Sequence, residues 1–339
     1  MEQLLAAHPS SVPDPAPTTP RPRRRIAAWA AGLLVAVPTV VTGCRLLDTD
    51  ALTPVPQALS FLPWLTVPAA LAALLALAAR RRLLAAWSVL VLLVTAWFTL
   101  PYGPDTTTAR GPVVERLRVL AANVEFGEAT DALVEAARRE RPQLVYVSEC
   151  DPACVATLTS SLSTALPHRA VVEGEGSTGS VILSAYPLTA RSPIPAAMGM
   201  PGATATIGGR SVELRLAHPL PPIPRQVEAW QRELGRVADF AGAAHRAGGP
   251  VLLAGDFNAS QDHAAFRAVL DTGRLHDAAR LAGAARTPTW PRELALPPYV
   301  QIDHVLVSGD FRVRGARFLD LRGSDHRAVL TDLDLHAGR

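Results

Sequence analysis

The 339-residue sequence predicts an α/β domain, with sheets covered by helices, that follows a set of transmembrane helices. Residues 26–100 contain long uncharged apolar stretches. From about residue 113 onward, short apolar strands alternate with helical segments. The length allows roughly two structural units of 100–200 residues each. A hydrophobic content of 49% excludes a wholly disordered chain.

The N-terminal region begins with a polar segment, residues 1–25, which we expect to be a disordered cytoplasmic tail. Three uncharged apolar stretches follow, at about 26–43, 58–79 and 83–100. An apolar helix of about 20 residues crosses a hydrocarbon core of roughly 30 Å, so each stretch is predicted to span the membrane. The alternative, a buried bundle in a soluble protein, is disfavoured because the predicted helices lack a polar face.

The arginines predict the orientation of these spans. They cluster just before the first stretch, up to Arg25, and in the turn 80–82 between the second and third. Positively charged segments are retained in the cytoplasm. The chain is therefore predicted to be a multi-pass protein of the cell membrane, and its three spans place everything after residue 100 on the extracytoplasmic side. In an alternative interpretation, Val-Thr-Gly-Cys at 41–44 is a lipoprotein cleavage box with a lipidated Cys44. Both interpretations export the C-terminal domain.

Charge separates the two parts of the chain. Residues 1–101 contain eight Arg and four acidic residues, whereas residues 102–339 contain 25 Arg and 26 acidic residues. The basic character therefore belongs to the N-terminal part. The C-terminal part carries no charge excess that would by itself indicate strong binding to nucleic acid.

Short apolar segments in the C-terminal part predict strands, and longer segments with helical spacing predict helices. We expect residues 102–114 to form a linker and 115–335 to form one domain. The predicted strands are 118–124, 143–148, 181–184, 211–217, 250–254, 302–308 and 328–333, and the predicted helices are 129–139 and 225–245.

Polar residues cluster where these predicted strands end. Carboxylate and amide oxygens suit Mg²⁺, with Mn²⁺ or Ca²⁺ as alternatives, better than zinc. Such a cation, combined with carboxylates and imidazoles, fits hydrolysis at phosphorus. Taken singly, each residue is equally explained as a turn former or a structural residue. The residues are Asn123, Glu149, His218, Asp256, Asn258, Asp303, Asp325 and His326.

Four short motifs follow one another along the C-terminal part. They are Gly-Asp-Phe-Asn-Ala at 255–259, Thr-Pro-Thr-Trp-Pro at 287–291 ahead of Ile-Asp-His at 302–304, and Ser-Asp-His at 324–326. This order resembles the endonuclease/exonuclease/phosphatase superfamily, the pancreatic-deoxyribonuclease-like enzymes, over about residues 115–335. The resemblance implies a four-layer α/β sandwich of two packed mixed sheets flanked by helices, with the active site at one rim of the sheets.

The resemblance also implies a metal site. Glu149 would be the principal ligand of a Mg²⁺ ion, assisted by Asn123 and Asp325. The sequence departs from the family pattern at two positions, Ala185 and His304. Because neighbouring residues in a strand alternate between faces, we expect the His304 side chain to lie opposite the Asp303 side chain.

The remaining polar residues receive catalytic roles from the same resemblance. Asp256 would orient or deprotonate the attacking water, and Asn258 would bind the phosphate beside it. His326 would contact the scissile phosphate, with its ring fixed by Asp303. His218 would act as an electrophile or acid near the leaving group.

The predicted activity is therefore Mg²⁺-dependent hydrolysis of phosphodiester bonds on the outer side of the membrane. A nuclease acting on DNA or RNA is the leading interpretation, and a phosphodiesterase for lipid head groups or small molecules is the alternative. A non-catalytic binding module on the same fold is the third. Trp290, with Asn258, is a predicted substrate contact. The expected partners are the phosphodiester substrate and the lipid bilayer, with no obligate protein partner evident.

Cys150 and Cys154 directly follow the predicted metal ligand Glu149. On the outer face of a membrane they could form a short-loop disulfide. Two buried free thiols are the alternative. A zinc site is disfavoured, because two thiols without a neighbouring His make a poor ligand set.

Overall fold

The computed structural model describes residues 22–292 and 299–338. Its helices are α1 (Pro22–Leu46), α2 (Val55–Ser60), α3 (Thr66–Ala78), α4 (Arg82–Phe98), α5 (Thr130–Glu140), α6 (Pro152–Ser161), α7 (Val227–Ala247), α8 (Ala264–Gly273) and α9 (Ala278–Leu281). Short 3₁₀ turns span Leu62–Leu65 and Gly176–Thr178. Its strands are β1 (Val113–Asn123), β2 (Leu144–Ser148), β3 (His168–Val172), β4 (Ser180–Ser184), β5 (Leu188–Arg191), β6 (Gly202–Ile207), β7 (Arg210–Leu216), β8 (Val251–Asp256), β9 (His276–Asp277), β10 (Asp303–Val307), β11 (Phe311–Asp320) and β12 (Arg327–His336).

The strands form two mixed six-stranded sheets. Strand order is β11-β12-β1-β2-β4-β3 in the first sheet and β5-β6-β7-β8-β10-β9 in the second. Each sheet contains one parallel pair, β1 with β2 and β7 with β8, among antiparallel neighbours. Each sheet therefore has a parallel pair of strands at its centre. The two strands of such a pair end on the same side of the sheet.

Strand alternation builds the layers. In β1, Val119 and Ala121 point into a core shared by the two sheets, whereas Leu120 and Ala122 point to a second core beneath α5 and α6. A third core lies between the outer face of the second sheet and the helices α7 and α8. The order of layers is helices, sheet, sheet, helices. The predicted four-layer α/β sandwich is confirmed.

The N-terminal helices differ from the prediction of three spans. Within the described residues, one helix, α1, is long and apolar enough to cross a membrane by length and composition, and such a helix near the N-terminus fits either a span or a signal sequence. The segments Leu62–Ala78 and Arg82–Phe98 are shorter apolar helices. Residues 22–25, predicted to belong to a disordered tail, are already helical, and residues 1–21 lie outside the described residues.

The predicted second stretch, 58–79, is not one helix. It starts in α2, passes through the 3₁₀ turn at Leu62–Leu65 and continues in α3. Proline lacks an N–H donor and fits only the first turn of a helix. Pro56, Pro63 and Pro68 each lie near the start of one of these segments, so the prolines divide the stretch.

The helical region, residues 22–100, has small residues inside and large apolar residues outside. Alanines of α1, α3 and α4 form its buried centre, among them Ala31, Ala72 and Ala85. Leu33 and Leu93 are 73% and 62% exposed on its outer surface. A soluble helix bundle buries its large apolar residues, so this arrangement indicates a surface that faces an apolar environment or a partner.

One end of the helical region contacts the α/β domain. The Arg286 guanidinium donates to the carbonyl oxygens of Phe98 and Thr99, at 2.6 and 2.7 Å, and forms an ion pair with Asp262. At the opposite end, Arg25 and residues 80–82 line a common surface cleft. The helical region therefore holds its basic end away from the domain.

Cys150 and Cys154 form a disulfide, with a Cα–Cα distance of 5.2 Å. Both sulfur-bearing side chains are buried against α5 and the first sheet. Asp151 lies between them and caps α6 by accepting a hydrogen bond from the Cys154 amide at 2.8 Å. The disulfide and the cap together fix the chain just after Glu149.

Candidate active site

Three polar side chains meet where β1, β2 and β8 end. The Asn123 amide nitrogen donates to Glu149 Oε1 at 3.0 Å and to Asp256 Oδ2 at 3.1 Å. Asn123 and Asp256 are buried, whereas Glu149 is partly exposed. One amide thus links two carboxylates that belong to different sheets.

A second group is centred on Asp303 and His326. Asp303, the first residue of β10, pairs in register with Asp256, so their carboxylates lie side by side. His326 Nδ1 lies 2.9 Å from Asp303 Oδ2, and His326 Nε2 lies 3.8 Å from Asp256 Oδ2. The Thr289 hydroxyl accepts hydrogen bonds from the amides of Ile302 and Asp303, which holds the start of β10 in place.

His304, which follows Asp303, is a structural residue and lies outside the site. His304 Nδ1 lies 2.8 Å from an Asp277 carboxylate oxygen, and Nε2 lies 3.0 Å from the Ala259 carbonyl. Its ring packs against Phe257 and Phe266. Strand alternation predicted this placement on the face opposite Asp303.

His218 is fully buried beside both carboxylates. Its Nε2 atom lies 3.9 Å from Glu149 Oε1 and 4.0 Å from Asp256 Oδ2. Neither of its ring nitrogens has a hydrogen-bond partner among the described residues. Burying an imidazole without a hydrogen-bond partner costs free energy. The His218 ring is therefore suited to form a hydrogen bond with a ligand that enters the site.

The electrostatics separate the two histidines. Burial, and then the neighbouring Asp303 carboxylate, raise the pKa of Asp256 to about 6. Burial opposes the charged form of His326, but Asp303 and Asp256 outweigh it and raise its pKa to about 10. Burial lowers the pKa of His218. At neutral pH the site therefore holds one cationic imidazole, His326, and one neutral imidazole, His218.

Asp325 is positioned by two neighbours. The Trp290 indole N–H donates to Asp325 Oδ2 at 2.8 Å, and the Asp325 amide donates to Glu125 Oε2 at 2.7 Å. The sequence predicted Trp290 as a substrate contact. In the structure it lines the cavity of the site and also orients a predicted metal ligand.

The Asn258 side-chain amide makes a hydrogen bond to the protein. Its side-chain nitrogen donates to the Pro219 carbonyl at 3.0 Å, and its backbone amide donates to Asp256 Oδ1 at 2.8 Å. A side-chain amide has two N–H donors and an acceptor oxygen. The geometry therefore makes Asn258 a support for Asp256 in addition to its predicted role as a phosphate contact.

Several residues around the site have left-handed backbone conformations. Glu125, Phe126, Glu149 and Asn258 have φ values of 45°, 57°, 58° and 46°. Such values are uncommon for residues with a side chain and cost of order 1–3 kcal/mol each where they are strained. The sharp turns they produce direct Glu149 and Asn258 toward the common cavity.

The donor set fits a hard divalent cation. Carboxylate oxygens of Asp256 and Asp303 lie within 4.8 Å of each other and of a ring nitrogen of His326, and of these three residues the two carboxylates have lone pairs to offer a cation while His326 is protonated. The predicted set, Glu149 with Asn123, adjoins this group through the Asn123 amide. Buried carboxylates held this close repel one another, and a cation would relieve that repulsion.

Six of the predicted site residues border one cavity of about 350 Å³: Glu149, Asp256, Asn258, Trp290, Asp325 and His326. Asn123, His218 and Asp303 are outside this lining and adjoin it through Asp256 and His326. Part of the cavity lining had no signal in the sequence, because the residues belong to distant segments without a motif. These residues are Gln57, Ser60, Phe61, Glu125, Phe126, Met198, Pro221, Pro222, Ile223 and Val300.

Residues 120–326 match the model of the Endonuclease/Exonuclease/phosphatase family. This match covers more than half of the chain and contains every predicted site residue. No curated protein sequence matches the chain.

Several solved structures share the fold. TDP2 of D. rerio, in complex with a single-strand DNA product, has a TM-score of 0.53 at 17% identity and covers 65% of this chain and 99% of its own. An endonuclease/exonuclease/phosphatase from Beutenbergia cavernae has a TM-score of 0.51 at 22% identity, with coverages of 66% and 72%. A family protein from Leptotrichia buccalis has a TM-score of 0.51 at 14% identity, with coverages of 65% and 100%. At these identities the likeness concerns the fold.

Proposed function

Because this chain belongs to the endonuclease/exonuclease/phosphatase family, whose members hydrolyse phosphoester bonds, we propose that it is a membrane-anchored, metal-dependent phosphodiesterase. One observation carries the proposal. A cationic His326 and the Asp256 carboxylate border one cavity. Directly beside them lie the Asp303 carboxylate and a neutral His218, whose ring nitrogens have no hydrogen-bond partner among the described residues. This set can bind a phosphate group, orient a water and supply a proton.

The residues divide the chemistry between them. His326, held cationic by Asp303, binds a non-bridging phosphate oxygen and stabilises the charge that develops there. Asp256, with its pKa raised to about 6, orients the attacking water and accepts its proton. His218, neutral and buried, donates a hydrogen bond toward the leaving oxygen. Asn258 supports Asp256 and contacts the phosphate.

A divalent cation would be held by Glu149 and Asn123, with Asp325 oriented toward the same place by Trp290. When bound, it would act as a Lewis acid on the phosphate oxygens. Mg²⁺ is the ion we propose, since the donors are mainly oxygens. The ion would also offset the mutual repulsion of the buried carboxylates.

Membrane anchoring is supported by the outer surface of the helical region, which is lined with exposed large apolar side chains. In this proposal α1, α4 and the segment from Leu62 to Ala78 cross the bilayer. The basic end lies in the cytoplasm, as the positive-inside rule requires. The domain then lies outside, where the Cys150–Cys154 disulfide would be stable.

The full chain in detergent micelles tests the activity with bis(p-nitrophenyl) phosphate, a soluble phosphodiester. We expect hydrolysis with Mg²⁺, loss of hydrolysis with EDTA, and recovery when Mg²⁺ is restored in excess. In Glu149→Gln, the Mg²⁺ concentration for half-maximal rate should rise by at least about tenfold.

The matched control is Glu228→Gln, which changes an exposed glutamate on α7. It should behave as the unchanged protein does. Equal hydrolysis with Mg²⁺ and with EDTA would contradict metal dependence, and faster hydrolysis of p-nitrophenyl phosphate than of the diester would contradict diesterase activity.

A further inference from the structure

The helical region supplies part of the catalytic cavity. Gln57, Ser60 and Phe61, from α2 and the residue that follows it, line the cavity together with Asp256 and His326. These three residues lie 59 to 63 positions before residue 120, the first residue of the family match. A segment that serves only as an anchor has no reason to border the reacting groups.

Contacts on both sides hold this segment against the domain. His263 Nε2 lies 2.8 Å from the Pro56 carbonyl, in a buried contact. The Gln57 amide donates to the carbonyl of Pro222, which itself lines the cavity. The Trp64 indole donates to the Tyr299 carbonyl at 3.1 Å. The segment 55–64 therefore forms a fixed wall of the cavity.

Apolar residues of the domain continue this wall. Among the described residues beyond 100, the exposed large apolar side chains are Val113, Phe126 and Ile223. Phe126 and Ile223, which are 55% and 47% exposed, both line the cavity. Scattered apolar residues are normal on a protein surface. Here the pair borders the same opening as Phe61.

The charge of the lining disfavours nucleic acid. Among the described residues, the cavity is lined by the acidic residues Glu125, Glu149, Asp256 and Asp325, and by no arginine. A protein that tracks a polynucleotide backbone binds successive phosphates with arginine or lysine. His326 is the one basic side chain among the described lining residues, which suits a single phosphodiester.

The cavity also lies at a defined end of the helical region. The segment 55–64 belongs to the end that contacts the domain, opposite the cleft lined by Arg25 and residues 80–82. In a membrane with the basic end in the cytoplasm, the cavity borders the outer head-group layer. The phosphodiester of a bilayer lipid would then reach the cavity while the lipid stays in the membrane.

We propose, building on the phosphodiesterase proposed above, that the substrate is a glycerophospholipid of the surrounding bilayer. Its phosphodiester enters the polar cluster, and its glycerol and upper acyl chains lie against Phe61, Phe126 and Ile223. The water oxygen bonds to phosphorus and one P–O ester bond breaks. The proton lost by the water is balanced by the proton taken up by the leaving oxygen, which gives one alcohol and one phosphomonoester.

The test uses the full chain reconstituted with Mg²⁺ in vesicles of phosphatidylcholine and phosphatidylglycerol. Lipid products are measured by mass spectrometry, next to rates on bis(p-nitrophenyl) phosphate and on plasmid DNA. In the double variant Phe61→Ala, Phe126→Ala, the ratio of the lipid rate to the soluble-diester rate should fall at least about tenfold, since two apolar contacts are lost.

The control is Leu93→Ala with Val113→Ala, which truncates two exposed apolar residues outside the cavity lining and should leave the ratio unchanged. An unchanged ratio in the Phe61, Phe126 variant would overturn the role of the wall. Cleavage of the soluble diester or DNA without cleavage of vesicle lipid would overturn the lipid substrate and leave the phosphodiesterase standing. No cleavage of any substrate by the unchanged protein would overturn both.

Discussion

Alanine fills the centre of the helical region, and leucine, valine and tryptophan cover its outside; the α/β domain shows the reverse. In the domain, Leu214, Val305 and Leu333 are buried between the sheets. In the helical region, Ala72 is buried whereas Leu74, two residues later, is 63% exposed. The same chain therefore distributes its apolar side chains in two opposite ways.

The membrane location proposed above accounts for this difference, because the domain would then fold in water and the helical region in lipid. Water drives large apolar side chains inward, which is the arrangement of the domain. Between helices in lipid that driving force is absent, and small residues that let backbones approach are favoured at the contacts. The proposed membrane location follows from the whole surface of the helical region rather than from the length of any one helix.

The largest effect should come from the site that lies between the two regions. His326→Gln removes the cationic imidazole and should lower the rate on a soluble phosphodiester by about 10³-fold. The circular dichroism of the variant should match that of the unchanged protein. His245→Gln, at an exposed position of α7, is the matched control. A loss of less than tenfold in His326→Gln would remove His326 from the proposed mechanism.

A charged residue on the outer surface of the helical region tests whether that surface faces lipid. Leu90→Asp, near the middle of α4, should oppose membrane insertion by about 3 kcal/mol, because a carboxylate would face lipid. Fractionation and carbonate extraction measure the share of protein retained in membranes. Val113→Asp, on the exposed part of the domain, should change that share little. Equal retention of both variants would mean that this surface faces water or protein.

A larger residue inside the helical region should have a smaller effect. Ala72→Leu adds volume among Ala31, Ala69 and Ala76, and overpacking there should destabilise the bundle by about 1–3 kcal/mol. Thermal unfolding in detergent, followed by helical circular dichroism, measures the change. Ala243→Leu, on the exposed side of α7, serves as the control. A stabilised Ala72→Leu variant would show that the helices are loosely packed.

The smallest effect should come from the disulfide, which lies only in the domain. Cys150→Ala with Cys154→Ala removes a short closed loop and should cost at most about 2 kcal/mol. A reducing agent should lower the unfolding temperature of the domain by a similar amount and leave that of the helical region unaffected. Insensitivity of both regions to the reducing agent would show that the bond does not stabilise the fold.

Much of the fold was predictable because its signals are local. Val119 to Ala122 alternate between two cores, so both faces of the strand are buried. Such a strand appears in the sequence as a continuous apolar run between polar ends. The break in the second apolar stretch was missed although the sequence contains its cause, the prolines at 56, 63 and 68. Hydropathy alone does not show such a break, because proline interrupts a helix without making the segment polar.

The candidate site was predictable only in part. Motifs identified residues that lie at strand ends, and the structure brings both Glu149 and Asp256 within hydrogen-bond distance of the Asn123 amide. Their catalytic roles remain proposals. The part of the wall from Gln57 to Phe61 could not be found in this way, because the cavity that it shares with His326 joins segments more than 260 positions apart. Nothing in the local pattern of either segment encodes that shared cavity.

The left-handed residues around the site have an evolutionary consequence. Glu125 and Phe126 occupy backbone conformations that glycine or asparagine adopts more easily. If variants are selected for thermal stability alone, substitutions to glycine or asparagine should therefore appear at these two positions before substitutions appear in the close-packed sheets. A selection for catalytic turnover should retain both residues, since Glu125 holds the Asp325 amide and Phe126 borders the cavity. Laboratory evolution under the two pressures would then produce diverging lineages at two adjacent codons.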